Sequence, residues 1–224
     1  GKLADIWTLD CRQYRSVQVC RDPVRGGGRM VLQCDELSDT SRSMLGQAQE
    51  RWLTERLSHS NRQWKLLAQA TQISSTSIPA PVGRSYWNDA WDGYPEARKR
   101  LLQTVVDAKL QNVVTLGGDV HCNVAANLRL EPNNPQSPIV ASEFVTTSIT
   151  SRGLGDKPAA LIRESNSDLL HYRSDERGYS LITVTPNAVR CDFRTTKFPA
   201  GSEAGLKTQA SYVVKSGKAG PQPA

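Results

Sequence analysis

Apolar positions along the chain change period several times, and each change marks an element. Residues 5–9, with Ile6, Trp7 and Leu9, read as a short strand. From Asp10 to about Gly46 the chain is polar, with RGGGR at 25–29 and DELSDTSRS at 35–43. Loops this long inside a domain are commonly functional or mobile. Leu45, Trp52, Leu53 and Leu57 then recur at helical spacing, while Glu50, Arg51, Glu55 and Arg56 take the other face, predicting a helix from about Gly46 to Ser58. WKLLAQA (64–70) is short and largely apolar, the pattern of a buried strand. A second loop, 71–94, ends at Pro95, which suits the first turn of a helix. EARKRLLQTVVDAKL continues that helix to about residue 110, with Leu101, Leu102, Val105 and Val106 inward. NVVTL predicts the next strand, and others are expected at 125–130 and 139–149. RGYSLITVT and VRCDFRTT flank the turn PNA, and Val189, Cys191 and Phe193 alternate with Arg190, Asp192 and Arg194. That period belongs to a half-buried antiparallel strand. Residues 155–176 read as loop, and the basic segment 197–224, with AGSEAGLKTQ and KSGKAGPQPA, reads as a poorly ordered tail.

Helix and strand in alternation, followed by antiparallel strands, predict a layered α/β architecture with a mixed sheet. The 224 residues, 38% hydrophobic and 22% charged, suit one substantial soluble domain or a large part of a bigger one. No apolar run approaches the roughly 18–20 residues needed to cross a bilayer. The opening GKLADIWTLD has no initiator Met and no signal-peptide pattern. It reads as the interior of a domain, so the chain is expected to lack its natural N-terminus. The formal charge of +6 favours anionic partners without choosing among phosphate esters, nucleic acid and membrane surfaces. It is spread out apart from ARKR at 97–100, and no aromatic–basic stacking pattern or known motif supports specific nucleic-acid binding. The five cysteines include no Cys-x-x-Cys pair, which argues against a structural zinc site. Cys11, Cys20 and Cys34 share one irregular region, where a disulfide can form in an oxidising compartment.

The stretch LGGDVHCNVA (116–125) follows the apolar run NVVT and carries residues that strands disfavour. In α/β sheets, chemistry collects beyond the carboxyl ends of strands. Gly117 and Gly118 allow a sharp turn and a close approach of ligand to backbone. Asp119 and His121, two apart, point the same way if the backbone is extended. Together they can hold one metal ion or bridge two, and Asn123, of the same parity, can add an amide oxygen. The alternative is an Asp capping the turn beside a partly exposed His. WNDAWDGYP (87–95) can line a pocket mouth, or else plug a domain edge with Asp92 capping the helix at Pro95. Arg12 can clamp a phosphate, since a guanidinium matches phosphate geometry, or it can pair with Asp10 or nearby backbone. His59 and His171 sit at a helix end and in a polar loop; TTSITS (146–151) offers hydroxyls that satisfy local backbone. No Gly-x-Ser-x-Gly elbow is present, which leaves a serine hydrolase unsupported. Cys122 points away from His121 and is expected to be buried.

Seven segments follow one another in a familiar order: LDCRQYR (9–15), SMLGQAQERWL (43–53), WKLLAQ (64–69), DAWDGYPEARKRLL (89–102), VVTLGGDVHCNVAANL (113–128), EFVTTSITSRG (143–153) and ERGYSLITVT (176–185). Together they resemble the C-terminal half of the alkaline phosphatase D (PhoD-like) family of metallophosphoesterases, from about residue 4 to 196. The resemblance implies an α/β/β/α sandwich with mixed sheets around a multinuclear metal centre, here incomplete because the N-terminal half is absent. It further implies phosphomonoesterase and phosphodiesterase activity on phosphate esters, iron and calcium as cofactors, and a secreted, periplasmic or cell-surface location. Within that pattern the Gly-Asp-Val-His stretch supplies late metal ligands, which maps onto Asp119 and His121.

The family's earlier ligand segments have no counterpart here. These are an Asp–Cys segment, a Gly-Asp-x-x-Tyr segment and an Asp-Asp-x-x-x-x-Asn segment; Asp10 and Cys11 are adjacent but belong to LDCRQYR. Two protein ligands rarely hold a catalytic metal, so the missing ones are expected in the same longer chain or in another one. The expectation is therefore a phosphoric ester hydrolase of which this chain is the C-terminal portion, residues 1–196. The competing expectation is a non-catalytic remnant, inactive alone.

Overall fold

A computed structural model describes residues 2–201 and 203–224, leaving Gly1 and Ser202 of the two expected segments outside the described residues. The strands run β1 (Ala4–Thr8), β2 (Met30–Val31), β3 (Trp64–Ala68), β4 (Ile78–Pro79), β5 (Arg84–Trp87), β6 (Val113–Gly117) and β7 (Asn123–Arg129). They continue as β8 (Ile139–Val145), β9 (Leu169–Arg173), β10 (Glu176–Val184), β11 (Ala188–Lys197), β12 (Lys207–Lys215) and β13 (Gln222–Pro223). Three α-helices join them: α1 (Gln47–Ser58), α2 (Pro95–Asp107) and α3 (Asp156–Glu164).

The main sheet has the order β1-β3-β6-β8-β7-β9. β1, β3, β6 and β8 are parallel, whereas β7 and β9 run antiparallel to their neighbours. The predicted mixed sheet is therefore present. Its apolar strands are buried on both faces. Trp7, Leu67, Val113, Leu128 and Ala141 pack with Leu53 and Leu57 of α1 and Leu101, Leu102 and Val105 of α2. Val124, Ala126 and Val145 pack with Ala159 of α3. On the opposite face Trp64, Leu66, Val114 and Phe144 meet Val189, Cys191, Phe193, Tyr212 and Val214 of the second sheet, ordered β10-β11-β12-β13. Helices, six-stranded sheet and four-stranded sheet form three consecutive layers of the expected sandwich. The outer face of the second sheet is open, with Tyr179 and Leu181 about half exposed.

Two expectations are corrected. Residues 155–176 are not loop: they contain α3 and β9. α3 spans only 9 residues, with Pro158 in its first turn, too few to register as a period along the sequence. Nor is the chain beyond Phe198 a loose tail. β12 pairs antiparallel with β11 from Ala188↔Lys215 to Thr195↔Lys207, and β13 pairs with β12. The cause is a period of two inside KTQASYVVK that places Tyr212 and Val214 against Cys191 and Phe193, hidden by Gly-, Ser- and Lys-rich flanks. Burying two such side chains contributes about 3–6 kcal/mol, which anchors the segment.

Candidate functional site

The parallel strands all end at one edge of the main sheet, and the loops leaving them bring the polar groups together. Arg12 and Arg15 follow β1, the loop 69–77 follows β3, Asp119 and His121 follow β6, and Thr146–Ser151 follow β8. Gly117 is required there for packing. A Cβ at Gly117 would lie 2.1 Å from the Thr71 carbonyl oxygen, so the first glycine admits the neighbouring loop rather than a ligand. That loop is also pinned from below by Glu143, which accepts the backbone N–H groups of Ile73 (2.7 Å) and Ser74 (2.8 Å). Complete burial pushes the Glu143 carboxyl above its ordinary value, against the opposing pull of these hydrogen bonds.

Asp119 and His121 are not extended. Their φ values are +70° and +56°, in the left-handed region that non-glycine residues seldom occupy. The parity argument therefore fails for this loop, and Asn123, the first residue of β7, does not share their direction. Asn123 is fully buried. Its Oδ1 accepts the Thr147 N–H at 3.0 Å, and its Nδ2 donates to Gln209 Oε1 at 3.2 Å. It supports the site instead of lining it. Gln209 is a β12 residue that also meets His171 Nε2 at 3.0 Å and donates to Glu176 Oε2 at 3.0 Å. Burial raises the Glu176 carboxyl, but bonds from Lys207, Thr195 and Gln209 outweigh it and hold the group below its usual range.

His121 is oriented by its Nδ1, which lies 2.8 Å from the Arg152 carbonyl oxygen. A carbonyl only accepts, so Nδ1 carries the proton and the neutral ring keeps its lone pair on Nε2. Such a backbone tether on one ring nitrogen is the usual arrangement for a histidine that binds metal through the other. The His121 carbonyl accepts from Thr147 Oγ1 at 3.1 Å. Arg177, buried, holds the TTSITS loop by donating to Ser148 Oγ and the Ser151 carbonyl, both at 2.9 Å.

Asp119 is exposed and pairs with Arg12, whose Nη2 is 2.7 Å from Asp119 Oδ2. Arg12 Nη1 is 3.0 Å from Asp89 Oδ2, so neither Asp10 nor local backbone takes its guanidinium. Asp10 instead binds the Arg12 backbone N–H at 2.8 Å. Asp89 is the residue that sequence reasoning missed. It also receives Arg15 Nη2 at 2.7 Å and Gln18 Nε2 at 2.8 Å. Burial alone would raise its carboxyl, but the Gln18 bond and the charges of Arg12 and Arg15 hold it below the ordinary aspartate value. Asp92, the acid singled out beforehand in the same loop, lies elsewhere. It is buried, 3.0 Å from Arg98 of α2, and accepts the Thr76 N–H at 2.7 Å. The local signal that separates them is weak: Asp89 is reachable because Asn88, buried, turns the chain by bonding Arg29 N–H (2.8 Å) and the Val19 carbonyl (2.8 Å). Cys20 and Cys34, two of the three cysteines grouped beforehand, form a disulfide that closes this supporting loop; Cys11 and Cys122 are buried and free.

Among the described residues no cluster of three or more His, Cys, Asp or Glu side chains is placed to hold a metal ion. The Asp119 carboxylate and His121 imidazole suit a metal as donors, but as a part of a centre.

The chain matches the family described as PhoD-like phosphatase over residues 1–193. It is 36% identical over 224 aligned residues to alkaline phosphatase D of Bacillus subtilis (strain 168), covering 98% of this chain and 37% of that protein. A solved structure described as "Structure of PhoD" superposes with a TM-score of 0.89 at 35% identity, over 100% of this chain and 42% of that one. The chain thus spans about two-fifths of the length of the relatives it matches. With the family pattern followed over residues 1–193 and the layers arranged as in that structure, the chain belongs to the PhoD-like phosphatase family.

Proposed function

We propose that this chain is the C-terminal portion of a metal-dependent phosphoric ester hydrolase, acting on monoesters, diesters or both, and that Asp119 and His121 are its contribution to the metal centre. The observation that carries this reading is the tether of His121 Nδ1 to the Arg152 carbonyl at 2.8 Å, which leaves Nε2 for coordination next to an exposed carboxylate. Iron and calcium are the metals the family resemblance implies; once bound, such ions polarise phosphoryl oxygens and lower the pKa of a coordinated water. The chain's own residues orient the donors. Arg152 fixes the imidazole, Thr147 and Arg177 hold the loop behind it, and Arg12 keeps the Asp119 carboxylate charged. The remaining ligands come from the longer polypeptide or a partner chain. A phosphate ester is the expected partner, and nothing in the fold supports specific nucleic-acid binding. Among the described residues no helix is long and apolar enough to cross a membrane. The Cys20–Cys34 disulfide fits an oxidising compartment, and with the family resemblance favours a secreted, periplasmic or cell-surface location.

The second reading, a chain inactive alone, is favoured by the absence of a three-ligand cluster among the described residues. Hydrolysis of p-nitrophenyl phosphate and its bis-ester, with and without added iron and calcium, separates the two. Full activity from the isolated chain refutes the claim of missing ligands. Unchanged metal content in Asp119→Ala and His121→Ala refutes the claim that these two residues bind the metal.

A further inference from the structure

Arg12 spans two loops in a way that packing does not demand. Its side chain is 37% exposed, and it joins Asp89 to Asp119. The two carboxylates are unequal partners. Asp89, 22% exposed, keeps Arg15 and Gln18 whatever Arg12 does, whereas Asp119 is 47% exposed and has Arg12 as its cationic partner. A cation on Asp119 therefore satisfies that carboxylate and leaves half of the guanidinium without an acceptor.

We propose, building on the assignment of Asp119 as a metal ligand, that Arg12 is a phosphoryl-oxygen ligand of the active site, resting on Asp119 and released to the substrate when a cation binds there. Nη1 stays on Asp89, and Nη2 turns from Asp119 to a non-bridging phosphoryl oxygen. Guanidinium is suited to this because its donors lie in one plane at the spacing of phosphate oxygens. Arg15 and Gln18 act as positioning residues by holding the two sides of Asp89, as does Gly28, where a Cβ would lie 2.8 Å from the Asp89 Cβ. The contact with Asp119 is a competition: the same guanidinium that keeps the carboxylate ready also opposes its cation.

Calorimetric titration of the chain with Mn2+, and then with inorganic phosphate at saturating Mn2+, tests this. Arg12→Ala is expected to bind Mn2+ several-fold more tightly and phosphate about 10- to 100-fold more weakly, the loss of one charge-assisted bond. Arg12→Lys, which keeps the charge and the fold, is expected to recover part of the phosphate affinity. Phosphate affinity unchanged in both variants, or absent in the wild type that binds Mn2+, overturns the clamp while leaving Asp119 as a ligand. Weaker Mn2+ binding in Arg12→Ala and Arg12→Lys alike shows a structural role and also overturns it. Wild-type chain that takes up no Mn2+, or Asp119→Ala that binds it unchanged, removes the underlying metal assignment instead.

Discussion

Replacing Asn123 by alanine puts the buried amide to a direct test. The substitution removes the acceptor of the Thr147 N–H and one of the donors to Gln209 Oε1, in a position with no solvent access. An unsatisfied buried N–H costs about 1–3 kcal/mol, and the lost amide–amide bond about 0.5–1.5 kcal/mol. The sum, about 2–4 kcal/mol, is a large part of a typical domain stability of about 5–15 kcal/mol. Urea unfolding followed by far-UV circular dichroism is expected to show the midpoint lowered by about 1–2 M for a slope near 2 kcal/mol/M. Asn123→Asp discriminates further. It keeps an acceptor for Thr147 but sets a carboxylate beside the Gln209 oxygen, in a network that already contains Glu176, and is expected to destabilise at least as much. A residue that ligated metal would behave differently: the alanine variant would lose cation affinity with little change in midpoint, and the aspartate variant would gain affinity. Either result refutes the supporting role assigned to Asn123.

Truncation after Gly205 removes β12 and β13, and with them the packing of Tyr212 and Val214 and the Gln209 bonds; loss of a cooperative urea transition is expected, and a truncated chain with an unchanged midpoint refutes the integration of this segment. Asp89 has a folded-state value below its unfolded one of about 3.9, so its stabilisation is present above that pH and disappears as pH falls through the lowered value. Thermal unfolding should therefore show Asp89→Asn less stable than wild type near pH 7 and the gap closing below about pH 4; a constant gap contradicts the ion-pair account.

Elements with strong periods were legible. The apolar runs around Leu66 and Val114, the Pro95 helix start and the alternation of Val189, Cys191 and Phe193 became β3, β6, α2 and β11. These patterns repeat over several residues and answer to burial, which composition records. β9 and α3 were not legible, because 5 and 9 residues hold too few periods. The site was legible in place but not in shape. Glycine and aspartate after a β-branched run located the loop, yet the positive φ of Asp119 and His121 depends on what the loop must clear, namely the Thr71 carbonyl beneath Gly117. Asp89 and Asp92 look alike in WNDAWDGYP, and only tertiary contacts, to Arg12 and Arg98 respectively, tell them apart.

Gln209 lies 86 residues beyond Asn123, and the strand carrying it is nearly the last to be made. A polypeptide growing from its N-terminus exposes the Asp119–His121 loop well before that glutamine leaves the ribosome. Until then Asn123 lacks one wall of its cage, and the loop's left-handed residues lack a firm base. The terminus of synthesis thus doubles as a completion signal, tying the geometry of the candidate ligands to the arrival of the full-length chain.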